Sequence, residues 1–237
     1  MSNQNIIDAG FSLPVRAFST TRAGGISQPP FDTLNLSAAC GDEPDHVAQN
    51  RLLLRALLPS EPLWLRQVHG NAVIHLDDWQ PEITADAAWT DRPGQVAVVL
   101  TADCLPILLA AEDTFCVAAI HAGWRGLAAG VIENTITAMT TVAKNLRAWI
   151  GPSIRQAAYE VGNEVVAAFA DYPTAFVENA NGRWQADLQS IAQRKLTEAG
   201  VNQVDDCGLC THQRHERLYS HRRNARTGRQ ASLIWFK

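Results

Sequence analysis

Three short segments each set a metal-capable side chain beside glycine or at the end of an apolar run. They are Gln67-Val68-His69-Gly70, Thr101-Ala102-Asp103-Cys104 and His121-Ala122-Gly123-Trp124-Arg125-Gly126. Two imidazoles and a thiolate form a borderline-soft ligand set that suits zinc. Three protein ligands leave the fourth tetrahedral position open for water, the pattern of a catalytic site, whereas a structural zinc takes four. Singly, each residue has a plainer explanation. A buried cysteine is usually a small hydrophobe, and a histidine at a strand end is more often a satisfied polar group. The long-range spacing is far less specific than a paired Cys-x-x-Cys signature. Two rival readings stay open. In one, Cys104 is the nucleophile and His121 the base of a metal-free hydrolase. In the other, the zinc is structural and the protein a scaffold. A dyad needs one histidine and a zinc site needs both, so His69 discriminates.

The segment after His121 adds a place for an anion. Gly123 and Gly126 allow close backbone approach, the following residues read as a helix start, and Arg125 offers a guanidinium fork for phosphate. A second basic stretch holds Arg214, Arg217, Arg222, Arg223, Arg226 and Arg229. Such a run is usually a solvated face. Its functional reading is a wall for an anionic substrate, with Tyr219-Ser220-His221-Arg222-Arg223 pointing inward. Asp103 reads as an orienting group or proton carrier beside Cys104, or as a turn cap. Cys207-x-x-Cys210, with His212 and His215 following, resembles a compact metal or redox site. Four ligands packed so closely need a very tight chain reversal, which argues against it.

These residues must be positioned by a folded frame. Strand patterns occur at 15–20, 63–68, 72–76, 96–100, 105–109, 116–120, 147–150 and 231–236, each short, apolar or β-branched and bounded by turn residues. A further strand-like stretch covers 201–204, and Gly70-Asn71 is placed to turn a hairpin. Helical spacing covers 45–58, 126–143, 160–172 and 186–199, the last followed by Gly200 as a C′ residue. The irregular alternation predicts an α/β (α+β) layered sandwich with mixed sheets flanked by helices. With no linker-like segment, 1–237 reads as one domain.

Bulk composition limits the partners. Lys+Arg number 20 against 24 Asp+Glu, a net charge of −4, which argues against a general nucleic-acid binder. No apolar run is long enough to span a bilayer, and the first residues lack the basic and apolar regions of a signal peptide. Five irregularly spaced cysteines suggest reduced thiols and a cytoplasmic location. The expected assembly is a monomer or weak homodimer.

The chain resembles the YfiH-type laccase-domain family almost end to end. The resemblance rests on Ser19-Thr20-Thr21-Arg22-Ala23-Gly24-Gly25, Leu34-Asn35-Leu36, Gly41-Asp42, Asn50-Arg51 and the three segments above. It continues through Gly151-Pro152-Ser153-Ile154, Tyr159-Glu160-Val161-Gly162, Tyr219-Ser220-His221-Arg222-Arg223 and Thr227-Gly228-Arg229. It implies zinc on His69, Cys104 and His121 in a layered α/β sandwich. It implies phosphorolysis of adenosine, inosine and methylthioadenosine, with adenosine deamination as a side activity. Asn35 and Arg51 join Arg125, Arg222 and Arg223 as expected substrate or phosphate contacts. Other activities attributed to the family are copper-dependent phenol oxidation and editing of a peptidoglycan precursor. A blue-copper oxidase needs many histidines. The chain has seven, with no His-x-His pair, so copper is not the expected native metal.

Overall fold

The computed structural model describes residues 5–12, 14–111 and 114–237. In chain order the first elements are β1 (Ile6–Asp8), β2 (Val15–Thr20), α1 (Pro44–Arg55), β3 (Val73–His75), β4 (Ala87–Thr90), β5 (Ala97–Thr101), β6 (Leu105–Ala111) and β7 (Cys116–Ala122). There follow α2 (Trp124–Ala128), α3 (Val131–Ala138), β8 (Leu146–Ile150), β9 (Glu160–Val161), α4 (Asn163–Ala168), β10 (Phe176–Glu178), β11 (Trp184–Ala186), α5 (Leu188–Glu198), β12 (Gln203–Asp206) and β13 (Gln230–Phe236). A six-stranded sheet has the order β12-β8-β6-β7-β4-β3. It is mixed: β12 with β8 and β3 with β4 run parallel, and the inner pairs are antiparallel. A four-stranded antiparallel sheet, β1-β2-β13-β5, lies against it, and β10-β11-β9 form a small third sheet.

The period of two in the central strands explains the layering. In β6 and β7, Ile107, Leu109, Ala118 and Ile120 face a core shared with Leu127, Ile132, Ile191 and Leu196 of the helices. The alternate residues Leu108, Ala110, Val117 and Ala119 face the four-stranded sheet through Ala97, Val99 and Ile234. The outer face of that sheet packs Phe18, Val98 and Leu233 against Leu34, Leu36 and Leu54 of α1 and its approach. Four layers result, with strands buried on both faces and correspondingly apolar throughout. No helix among the described residues is long and apolar enough to cross a membrane.

Several expected elements differ. Segment 63–68 is not a strand. It makes one isolated bridge, Arg66 to Thr84, and the Gln67 side chain takes over the pairing by bonding both the N–H and the carbonyl of Leu100. Gly70-Asn71 therefore turns no hairpin, and β3 pairs in parallel with β4 instead. The strand expected to stop at Ile120 continues through His121 to Ala122. The helix expected over 126–143 breaks at Gly130, whose φ of 87° lies in the left-handed region, and ends at Ala138. Residues 160–161 and 186 belong to strands, so α4 and α5 are shorter than their patterns. Gly200 does sit just past α5 with φ +95°.

Candidate metal centre

The site lies where β7, the turn before β4 and the start of β6 meet at the edge of the two-sheet core. Alternation along β7 points His121 to the same side as Val117 and Ala119, between the sheets. Asp86, which directly precedes β4, lies on that side too, and its carbonyl accepts the His121 N–H at 2.7 Å. Its carboxylate is completely buried and accepts four hydrogen bonds. Oδ1 takes His121 Nδ1 at 2.7 Å and the His69 N–H at 2.9 Å. Oδ2 takes the Gly70 N–H at 2.7 Å and the Val68 N–H at 3.2 Å. One carboxylate thus fixes both the ring of His121 and the backbone that carries His69. His69 has φ 61° and Asp103, next to Cys104, φ 98°, so two non-glycine residues of the site adopt the left-handed region. Such strain persists only where surrounding contacts over-determine it, as at functional sites.

The ligand-capable atoms of His69, Cys104 and His121 all lie within 4.8 Å of one another, and no other such cluster occurs among the described residues. The two imidazole rings meet edge to face at 4.7 Å between centroids. Gly123 closes over them. A Cβ there would stand 2.9 Å from His69 Cδ2 and 3.1 Å from Cys104 Sγ, so glycine is required by space. Burial pushes the Cys104 thiol up, but the charges and hydrogen bonds of His121 and His69 outweigh it and hold the thiol low, at about 6. Burial pushes His121 down, and the Cys104 thiolate and Asp86 overcome that and raise it. Burial likewise raises Asp86, but His121, Gly70 and Val68 bring it below the usual carboxylate range. The cluster is built to keep a thiolate in place, as a metal ligand or as a nucleophile.

The triad opens on a cavity of about 570 Å³. Arg66, Arg125, Arg222 and Arg229 line it, and none of them pairs with a carboxylate among the described residues. Arg125 rests on the Trp124 ring at 4.3 Å. Arg222 lies 5.0 Å over the Tyr159 ring and donates to the Glu160 carbonyl at 2.7 Å. Asp103 also lines the cavity, but its oxygens accept the Thr211 hydroxyl and the Arg222 N–H, both at 2.6 Å. It ties the Cys104 loop to the C-terminal segment. The structure does not bring Asn35, Arg51 or Arg223 to the cavity lining. The Arg223 guanidinium is spent on the carbonyls of Thr211, His212 and Leu218. Arg51 donates to the Leu36 carbonyl and stacks on Trp64. Asn35 is buried and accepts the N–H groups of Arg229 and Ser37, so it reaches the cavity only through those neighbours. Cys207, Cys210, His212 and His215 form no metal-capable cluster among the described residues.

Sequence reasoning missed Asp86, Tyr159, Arg66 and the cavity position of Arg229. Asp86 had a legible signal, a single carboxylate inside the apolar run Ala85 to Trp89. Buried charges are rarely kept without partners.

A family model described as multi-copper polyphenol oxidoreductase laccase matches residues 16–237. Proteins named purine nucleoside phosphorylase YfiH, from Shigella flexneri and Escherichia coli, are each 46% identical over 229 residues, covering 93% of both chains. A purine nucleoside phosphorylase of Pseudomonas aeruginosa is 47% identical over 228 residues, covering 94% of each chain. Among solved structures, a Neisseria meningitidis protein superposes with a TM-score of 0.94 at 37% identity, covering 98% of this chain and 99% of its own. YlmD from Geobacillus stearothermophilus gives 0.92 at 27% identity, covering 100% and 98%. The extent of these matches shows that the chain belongs to the YfiH-type laccase-domain family.

Proposed function

We propose that this chain is a zinc-dependent purine nucleoside phosphorylase that also deaminates adenosine. The observation that carries the reading is the convergence of His69, Cys104 and His121 on the floor of a basic cavity. Donor atoms around tetrahedral zinc stand about 3.3–3.6 Å apart. A set already within 4.8 Å needs only a modest contraction. Asp86 on Nδ1 of His121 leaves Nε2 as the ligating nitrogen, in the carboxylate–histidine arrangement common around zinc. A zinc bound there supplies Lewis acidity and a water acidified toward neutral pH.

The chain's own residues supply the rest. Arg125, stiffened against Trp124 and without an acidic partner, is placed to hold phosphate. Arg222 and Arg229 extend the positive wall for a second contact. The substrates are adenosine, inosine and methylthioadenosine, converted with phosphate to the free base and ribose 1-phosphate or, from methylthioadenosine, methylthioribose 1-phosphate. The relatives' names support the nucleoside and phosphate as substrates. Five free cysteines support a reducing, cytoplasmic setting. A product screen tests the reading. Purified protein, stripped of metal and then given zinc or copper, is offered each nucleoside with phosphate, and a muramyl precursor separately, with products identified by mass. Zinc-dependent release of free base and sugar phosphate supports it. Turnover of the muramyl precursor alone overturns it.

A further inference from the structure

Phosphorolysis breaks the C1′–N9 bond and leaves its electron pair on the purine. Hydrogen phosphate forms the new C1′–O bond and loses its proton, and the base gains one at a ring nitrogen, so charge and protons balance. A group that donates a proton or hydrogen bond to the departing base speeds this step. The cavity has no free carboxylic acid for the task, because Asp103 is committed to Thr211 and Arg222 and Asp86 lies beneath the triad. Its arginines suit the phosphate.

Building on the phosphorylase reading, we propose that Tyr159 contacts the substrate directly and donates its hydroxyl proton in a hydrogen bond to the purine as it leaves. Four observations support this. The ring lines the cavity, and its hydroxyl has no hydrogen-bond partner among the described residues. Its orientation is held by the Arg222 guanidinium 5.0 Å above it and by backbone bonds to Gln156 and Ala186. It lines the same cavity as His69, Cys104, His121 and Arg125. Burial, reinforced by the Cys104 charge, pushes its hydroxyl up to about 12, which keeps it a donor at neutral pH.

Tyr159→Phe removes one oxygen from a cavity wall and leaves the packing intact. The test compares parent and variant on inosine and on N7-methylated inosine, whose base is already cationic and leaves without a donor. Zinc content and hypoxanthine binding are measured on the same preparations. The expected result is a loss of about a hundredfold in kcat on inosine, near-parental turnover of the methylated nucleoside, unchanged zinc and weaker hypoxanthine binding. Equal losses on both nucleosides would overturn the donor role, as would a change confined to the KM for phosphate. A parent that phosphorolyses neither nucleoside would overturn the phosphorylase reading itself, and this proposal with it.

Discussion

Replacing Asp86 with Asn probes the frame that holds two of the three proposed ligands. Each Asp86 oxygen accepts two hydrogen bonds, one pair from His121 and His69 and the other from Gly70 and Val68. Asparagine keeps one acceptor and turns an NH₂ group toward the other pair. If that group faces Gly70 and Val68, two N–H donors lose their partner. If it faces His121, the ring must move its proton to Nε2, the nitrogen proposed to ligate. A buried donor left without a partner costs about 1–3 kcal/mol, and with Val68 exposed and Gly70 half-buried the pair together costs about that much. That is a large share of a typical stability of about 5–15 kcal/mol. Outer partners of metal-bound histidine contribute about 10- to 100-fold in affinity. The assays are zinc competition against a chelator of known affinity, and urea unfolding of the metal-free protein. Asp86→Asn should bind zinc at least about tenfold more weakly and unfold at lower urea. A variant that matches the parent in both measurements would refute the role assigned to this carboxylate.

Three further outcomes are expected. Arg125→Ala should lower phosphorolytic efficiency about ten- to a hundredfold, the loss of charge-assisted phosphate contacts, while sparing adenosine deamination; Lys should restore it only partly. Steady-state kinetics of both reactions on one preparation check this, and equal losses would reassign Arg125 to the scaffold or the nucleoside. Gly123→Ala should reduce zinc per chain, measured by elemental analysis, because its Cβ collides with His69 and Cys104. In metal-free protein, iodoacetamide should alkylate Cys104 well above pH 6, where the thiolate is present, and slow as pH falls through about 6. Cys116 and Cys207, which burial pushes up to about 11, should stay unmodified at neutral pH, and zinc should protect Cys104, as read by peptide mass.

Much of the centre was legible because ligand chemistry is local. His69, Cys104 and His121 each sit beside a glycine or a strand end, and the family pattern spans all three. The central strands were legible because burial on both faces leaves unbroken apolar runs such as Leu105–Ala111. Segment 63–68 has the composition of a strand, but the Gln67 side chain replaces the backbone ladder, which no periodicity reveals. Gly130 lies inside the helical spacing of 126–143, and its left-handed φ of 87° breaks the helix there. The arginines were hardest to read. Arg51, Arg222 and Arg223 have identical side chains, and their fates depend on which carbonyls the fold sets nearby. Asp86 acts across 35 residues of sequence to reach His121, a distance that spacing alone does not bridge.

The most direct measurement takes zinc per chain and inosine phosphorolysis together in the parent, His69→Ala and Cys104→Ala. With zinc held by all three ligands and required for turnover, the parent carries about one zinc per chain and both variants lose metal and activity in parallel. If His69→Ala keeps near-parental turnover while Cys104→Ala is inactive, Cys104 acts as a nucleophile with His121 as its base, and the zinc enzyme described above is contradicted.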